Sequence, residues 1–142
     1  MSTIPALSPS RYSLTVKIPN TSFEDAVARV RSALADEKFG VLTEIDVQAT
    51  LKKKIDADTR PYLILGACNP PLAHQALSAE APIGVLLPCN VVVVGDDDGG
   101  VDVAAIDPVA MFSVVGRDDI ASIADDVRAR LERVLQTLGE VK

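Results

Sequence analysis

Residues 60–72 read RPYLILGACNPPL, and this stretch decides the fold. From Tyr62 to Ala67 the run is apolar throughout, as a central strand covered on both faces would be. Asn69-Pro70 closes it as a helix start. The asparagine caps, the proline brings a fixed φ to the first turn, and Leu72, Ala73, Ala76 and Leu77 follow at helical spacing. A second apolar run, Ile83 to Val94, is broken by Gly84, Pro88 and Asn90. Proline cannot donate to a ladder, so Pro88 is expected at an edge or a bulge. Gly95-Asp96-Asp97-Asp98-Gly99-Gly100 reads as a hairpin turn, with Val101 to Ile106 returning beside the strand before it.

Outward from this pair of runs, the same signals continue. Tyr12, Leu14, Val16 and Ile18 alternate with Ser13, Thr15 and Lys17, the period of a half-buried strand. Thr21 with Glu24 forms a capping-box signature, and Phe23, Val27, Val30 and Leu34 give a helix to about Lys38, ended at Gly40. Val41 to Ile45 reads as a strand. Asp46 can cap a short helix whose Val47, Leu51 and Ile55 share a face, with Lys52, Lys53 and Lys54 suiting its dipole; a strand continuing through Gln48 competes. Asp118 or Asp119 caps a last helix with the stripe Ile120, Ile123, Val127, Leu131, Val134 and Leu138, closed by Gly139. The plan is α+β, with a mainly antiparallel sheet. It forms a single domain over residues 1–142, with residues 1–10 expected as a flexible arm.

Composition excludes several function classes. With 48% apolar residues and no Trp in 142 residues, the chain can bury one good core but not two. Fourteen basic against twenty acidic side chains leave a net charge of −6, with no basic stripe, so nucleic acid is not an expected partner. The apolar run 83–94 is far shorter than the roughly 20 residues of a membrane span, so no membrane is expected either. Met1-Ser2-Thr3-Ile4-Pro5 lacks the features of a secretory signal, which points to the cytoplasm and to reduced thiols.

Reactive chemistry gathers at one repeated step. Cys68-Asn69 and Cys89-Asn90 each follow an apolar run. If the two strands are neighbours ending at the same edge of the sheet, both sulfurs can face one pocket. A helix start at Asn69-Pro70 would lower the pKa of Cys68 and favour a thiolate or a bound anion. Packing is the competing reading, because a free cysteine behaves as a small buried apolar group. A spacing of 21 residues is neither a redox dithiol motif nor a zinc knuckle. Cys68, Cys89 and His74, the sole histidine, form only a weak metal set that needs a carboxylate from Glu44 or Asp107. Glu44, inside an apolar strand, either faces solvent or needs a partner such as Lys53, Lys54 or an Asn amide. Asp107 reads as a turn-former and Asp96–Asp98 as a solvated hairpin tip. No Gly-rich phosphate loop, Walker lysine or serine elbow is present. Catalytic residues stay unknown, and no cofactor is implied.

The stretch from Phe39 to Asp107, with FGVLTEIDVQATLKKK, ILGACNPPLAHQAL, IGVLLPCNVVV and AIDP, resembles the bacterial and archaeal family known as domain of unknown function 302. The resemblance implies a fold similar to the TATA-box-binding-protein-like class, a curved antiparallel sheet with helices on one side, and a homodimer. It does not imply DNA binding. Glu44, Cys68, Asn69, Pro70, Cys89, Asn90 and Asp107 match the family pattern, whereas His74 falls where the family often has an aromatic residue.

Two functions follow for testing. One is a small-ligand or sulfur-handling site built on Cys68 and Cys89, with Asn69, Asn90 and Glu44 orienting the ligand. The other is an interaction module in which the Cys-Asn turns shape a homodimer seam.

Overall fold

The computed structural model describes residues 4–141, the last two as backbone, so the first three residues of the expected arm lie outside the described residues. In chain order the elements are β1 (Ser13–Ile18), α1 (Phe23–Asp36), β2 (Gly40–Asp46), α2 (Val47–Ile55), β3 (Tyr62–Cys68), α3 (Pro70–Ala79), β4 (Cys89–Gly95), β5 (Val101–Ile106), α4 (Pro108–Phe112), α5 (Asp118–Leu138) and β6 (Glu140–Val141). The strands form one sheet in the order β2-β3-β4-β5-β1-β6, and every pairing among the described residues is antiparallel. The architecture is α+β, as the alternation of strand and helix signals required.

The core lies between one sheet face and helices α1 and α5. Leu65, Val91, Val93 and Val103 are fully buried on that face, against Val30 and Leu34 of α1 and Leu131 and Val134 of α5. Each such side chain contributes about 1.5–3 kcal/mol relative to exposure. On the opposite face one cross-strand row runs Ile45, Ile64, Val92, Ala104. Its Ala104 end is buried, while Ile45 stays 50% exposed. Residues 4–12 run between the two ends of the sheet. The Ile4 carbonyl accepts from Arg60 Nε (2.9 Å), beside the β4–β5 turn, and the Tyr12 carbonyl accepts from the Asp107 amide (2.8 Å) at the other end.

Several boundaries differ from the sequence reading, each for a local reason. Ser22, not Thr21, caps α1, its hydroxyl accepting from the Asp25 amide at 3.1 Å. The helix is closed by Lys38 at φ 68°, with the Phe39 amide donating to the Leu34 carbonyl. Phe39 must turn inward to be buried, so the left-handed residue comes before it and Gly40 opens β2 instead. Ile83–Leu86 is not strand. Pro82 starts a 3-10 helix over Ala81–Leu86 that buries Ile83 on one side only and leaves Val85 88% exposed. Pro88 stands one residue before β4, after a cis Leu87–Pro88 bond, and so costs a central strand no ladder donor. It marks neither an edge nor a bulge. Asp107 does more than turn the chain: its carboxylate accepts from the Val109 amide (3.0 Å) and caps α4, a helix that no periodicity announced. Among the described residues no side chain caps α5; Arg117 holds the cap position, and Asp119 accepts from the adjacent Ile120 amide and pairs with Arg117. Gly139 is extended rather than left-handed, and glycine is needed because a Cβ there would lie 2.0 Å from the Lys17 carbonyl oxygen.

Candidate functional site

β3 and β4 pair antiparallel with Ala67 opposite Cys89, so the end of β3 lies beside the start of β4. Cys68 and Cys89 therefore meet at one end of the sheet. Both line a cavity of ≈ 320 Å³ bounded by the β2–β3–β4 ends, α3, α5 and Phe112. The rest of the wall is almost wholly apolar: Phe39, Leu42, Ala67, Leu72, Ala73, Ala76, Leu77, Leu87, Pro88, Phe112, Ile123 and Val127, with Thr43 and Asn69 the other polar members.

Local sequence accounts for this shape. α3 starts immediately after β3 because Asn69 caps it, its Oδ1 accepting from the Leu72 amide at 3.2 Å. That sharp strand-to-helix step lays Leu72, Ala73 and Ala76 across the strand ends. Gly66 lets the wall close, since a Cβ there would meet Thr43 Oγ1 at 2.1 Å and Pro88 Cγ at 2.8 Å. Phe112 enters from α4, held in place by the Asp107 cap, while an ion pair from Asp107 to Arg128 Nε (3.2 Å) ties that corner to α5.

The electrostatics contradict the thiolate expectation. Desolvation raises the pKa of Cys68, so burial outweighs the helix start beside it. Cys89 is pushed up to about 11, first by burial and then by the nearness of Cys68. Both sulfurs are neutral thiols at pH 7, and both are free.

Of the residues singled out from the sequence, the fold gathers Cys68, Asn69 and Cys89 and leaves the others outside. Asn90 is exposed on β4, opposite Gly66. Glu44 is exposed and pairs with Arg31 of α1, so its partner is neither Lys53, Lys54 nor an Asn amide. His74 is exposed on α3, off the cavity wall. Among the described residues no three His, Cys, Asp or Glu side chains cluster for a metal, so the Cys68, Cys89 and His74 set does not form. Phe39, Phe112, Ile123 and Val127 were invisible as site residues. Ile123 and Val127 carried only the signal of an apolar helix face, which is also the signal of ordinary core, and Phe39 and Phe112 carried none.

No helix among the described residues is long and apolar enough to cross a membrane. No protein of curated function matches the chain. Its structure is similar to that of an uncharacterized conserved DUF302 protein from Bacillus stearothermophilus, with a TM-score of 0.83 and 28% identity, covering 91% of this chain and 99% of the other. The model of the family Domain of unknown function DUF302 matches residues 14–138. With β2 to β5, all but the first residue of β1, helices α1 to α5 and both Cys-Asn steps inside that span, the chain belongs to the DUF302 family.

Proposed function

We propose that this domain binds a small uncharged ligand in the cavity at the β3–β4 ends. The observation that carries the reading is the cavity itself: ≈ 320 Å³ of space walled by apolar side chains, with two neutral thiols among them. At roughly 30 Å³ per non-hydrogen atom, taking the share of a water molecule, it holds about ten such atoms. An anion or a metal ion would pay desolvation there with no opposite charge to meet it. The sulfurs act as soft contact surface, which suits a reducing cytoplasm where they stay unpaired. Titration with sec-butylbenzene followed by amide chemical shifts in residues 70–79 tests this. Saturable shifts are expected in the native protein and none in Ala73→Phe, a variant whose added ring fills the cavity and whose folding is checked by its melting curve. Absence of saturable binding by uncharged aromatic and aliphatic probes of this size would overturn the reading.

A second reading concerns partners. The exposed Ile45, the half-buried Ile64 and Val92 in one row, and the 65% exposed Tyr12 support a homodimer joined through the outer sheet face and the free edge of β2.

A further inference from the structure

One polar group on the cavity wall, the Asn69 amide, is held in a fixed orientation with a donor to spare. Asn69 is 7% exposed and lines the wall. Its Oδ1 is engaged as the α3 cap, which fixes the orientation of the amide. Its Nδ2 makes no hydrogen bond to the described residues and keeps contact with solvent rather than being sealed inside the protein. A ligand that fills the cavity takes water from that N–H₂, and a donor left without an acceptor on binding is unfavourable.

We propose that the ligand carries a hydrogen-bond acceptor, a carbonyl or ether-type oxygen, that receives Asn69 Nδ2–H, with the remainder of the molecule apolar. This rests on the ligand reading of the cavity and narrows it to neutral carbonyl or ether compounds of about ten non-hydrogen atoms. The assignment follows from three facts. The donor is oriented before binding, because the same side chain is locked by its cap. Both thiols are protonated and weak as hydrogen-bonding groups, so they do not compete for the oxygen. A carboxylate, although a better acceptor, would enter a wall that offers no cation, and is disfavoured by its desolvation.

The test compares two probes of nearly equal shape, propiophenone and sec-butylbenzene, in which a carbonyl oxygen replaces a methyl group. Calorimetry or amide shifts give their dissociation constants in the native protein and in Asn69→Ser, which keeps a capping oxygen and removes the amide. The native protein is expected to bind propiophenone at least as tightly as sec-butylbenzene. Asn69→Ser should lose about fivefold in propiophenone affinity, the worth of one net hydrogen bond, with sec-butylbenzene changing less than about twofold. Equal losses for both probes, or none for either, would overturn the assignment while leaving the cavity reading intact. Failure of both probes to bind the native protein would remove the cavity reading itself. Should Asn69→Ser fail to fold, Asn69→Asp supplies the same comparison, with propiophenone expected to weaken more than the hydrocarbon and an unchanged ratio counting against the proposal.

Discussion

Cys89→Ala should change how stability depends on alkaline pH, and the size of the change can be worked from the fold. The thiol moves from an ordinary value of 9.0 to about 11 on burial. At about 1.4 kcal/mol per tenfold change in proton affinity, that difference corresponds to about 2.7 kcal/mol, an upper figure because the unfolded chain is never fully solvated. The sign follows from which state loses its proton first. Below pH 9 both folded and unfolded thiols are protonated, and the contribution is fully present. As pH rises from 9 towards 11 the unfolded thiol ionises while the folded one does not, so the unfolded state gains and the contribution is lost. Urea unfolding of the reduced protein at intervals from pH 7 to 11 would measure it, with the variant as reference. Tyr62 and Cys68, whose pKa values burial also raises, are present in both proteins, so the difference curve reports Cys89 together with its coupling to Cys68. Below pH 9 the variant should be less stable by about 1–2 kcal/mol for the lost sulfur contacts. Above pH 9 that gap should close by about 2–3 kcal/mol, reversing in sign near pH 11. A gap that stays constant from pH 8 to 11 would refute the claim that Cys89 is a desolvated neutral thiol.

Three other outcomes are expected. Gly66→Ala should lose about 1–3 kcal/mol in chemical denaturation, because its Cβ must displace Thr43 and the Pro88 ring, and stability within 0.5 kcal/mol of the native protein would show that the wall is not tight there. Lys17 lies 2.5 Å from both Asp96 and Asp98 and holds their carboxyls below the usual range, Asp96 down to about 2. Such groups contribute above their unfolded pKa and lose the contribution as pH falls. Lys17→Met should therefore lower Tm near neutrality and flatten its fall between pH 5 and 2 by a few degrees; identical acid slopes would count against it. If the outer sheet face joins two copies, light scattering should report about twice the 15.0 kDa chain mass, and Ile45→Glu should weaken association at least tenfold; a native monomer at every concentration would exclude the seam.

What could be read without coordinates was whatever depends on neighbours along the chain. Alternation marked β1, continuous apolarity marked β3, Asn69-Pro70 marked the start of α3, Asp46 the cap of α2, and the glycine-flanked aspartates the β4–β5 turn. These features are set by propensity and capping, which act over three or four residues. Where two local signals competed, packing chose. The chain 83–86 is as apolar as a strand, yet only Ile83 finds a buried place, in a small cluster with Ala76, Phe112 and Ile120, and the segment coils accordingly. Lys38 takes a left-handed turn that Gly40 could make at lower strain, because Phe39 between them has to reach the core.

For the site the division is sharper. Sequence alone picked out Cys68, Asn69 and Cys89, and it supplied the condition for their meeting, two strands ending at one edge. Strand pairing decided that they meet, because antiparallel register sets Ala67 opposite Cys89 across twenty-odd residues of intervening chain. The same pairing left Asn90 outside, and Glu44 was drawn to Arg31 instead. The charge state of the thiols was the least legible property. A helix start near Cys68 argued for a lowered pKa, whereas desolvation, at a site walled by α5 and Phe112 from distant parts of the chain as well as by the neighbouring α3, raises it. Propensity and capping are local free energies and are written in order along the sequence. Burial is a sum over everything that folds against a residue, and only the tertiary structure performs that sum.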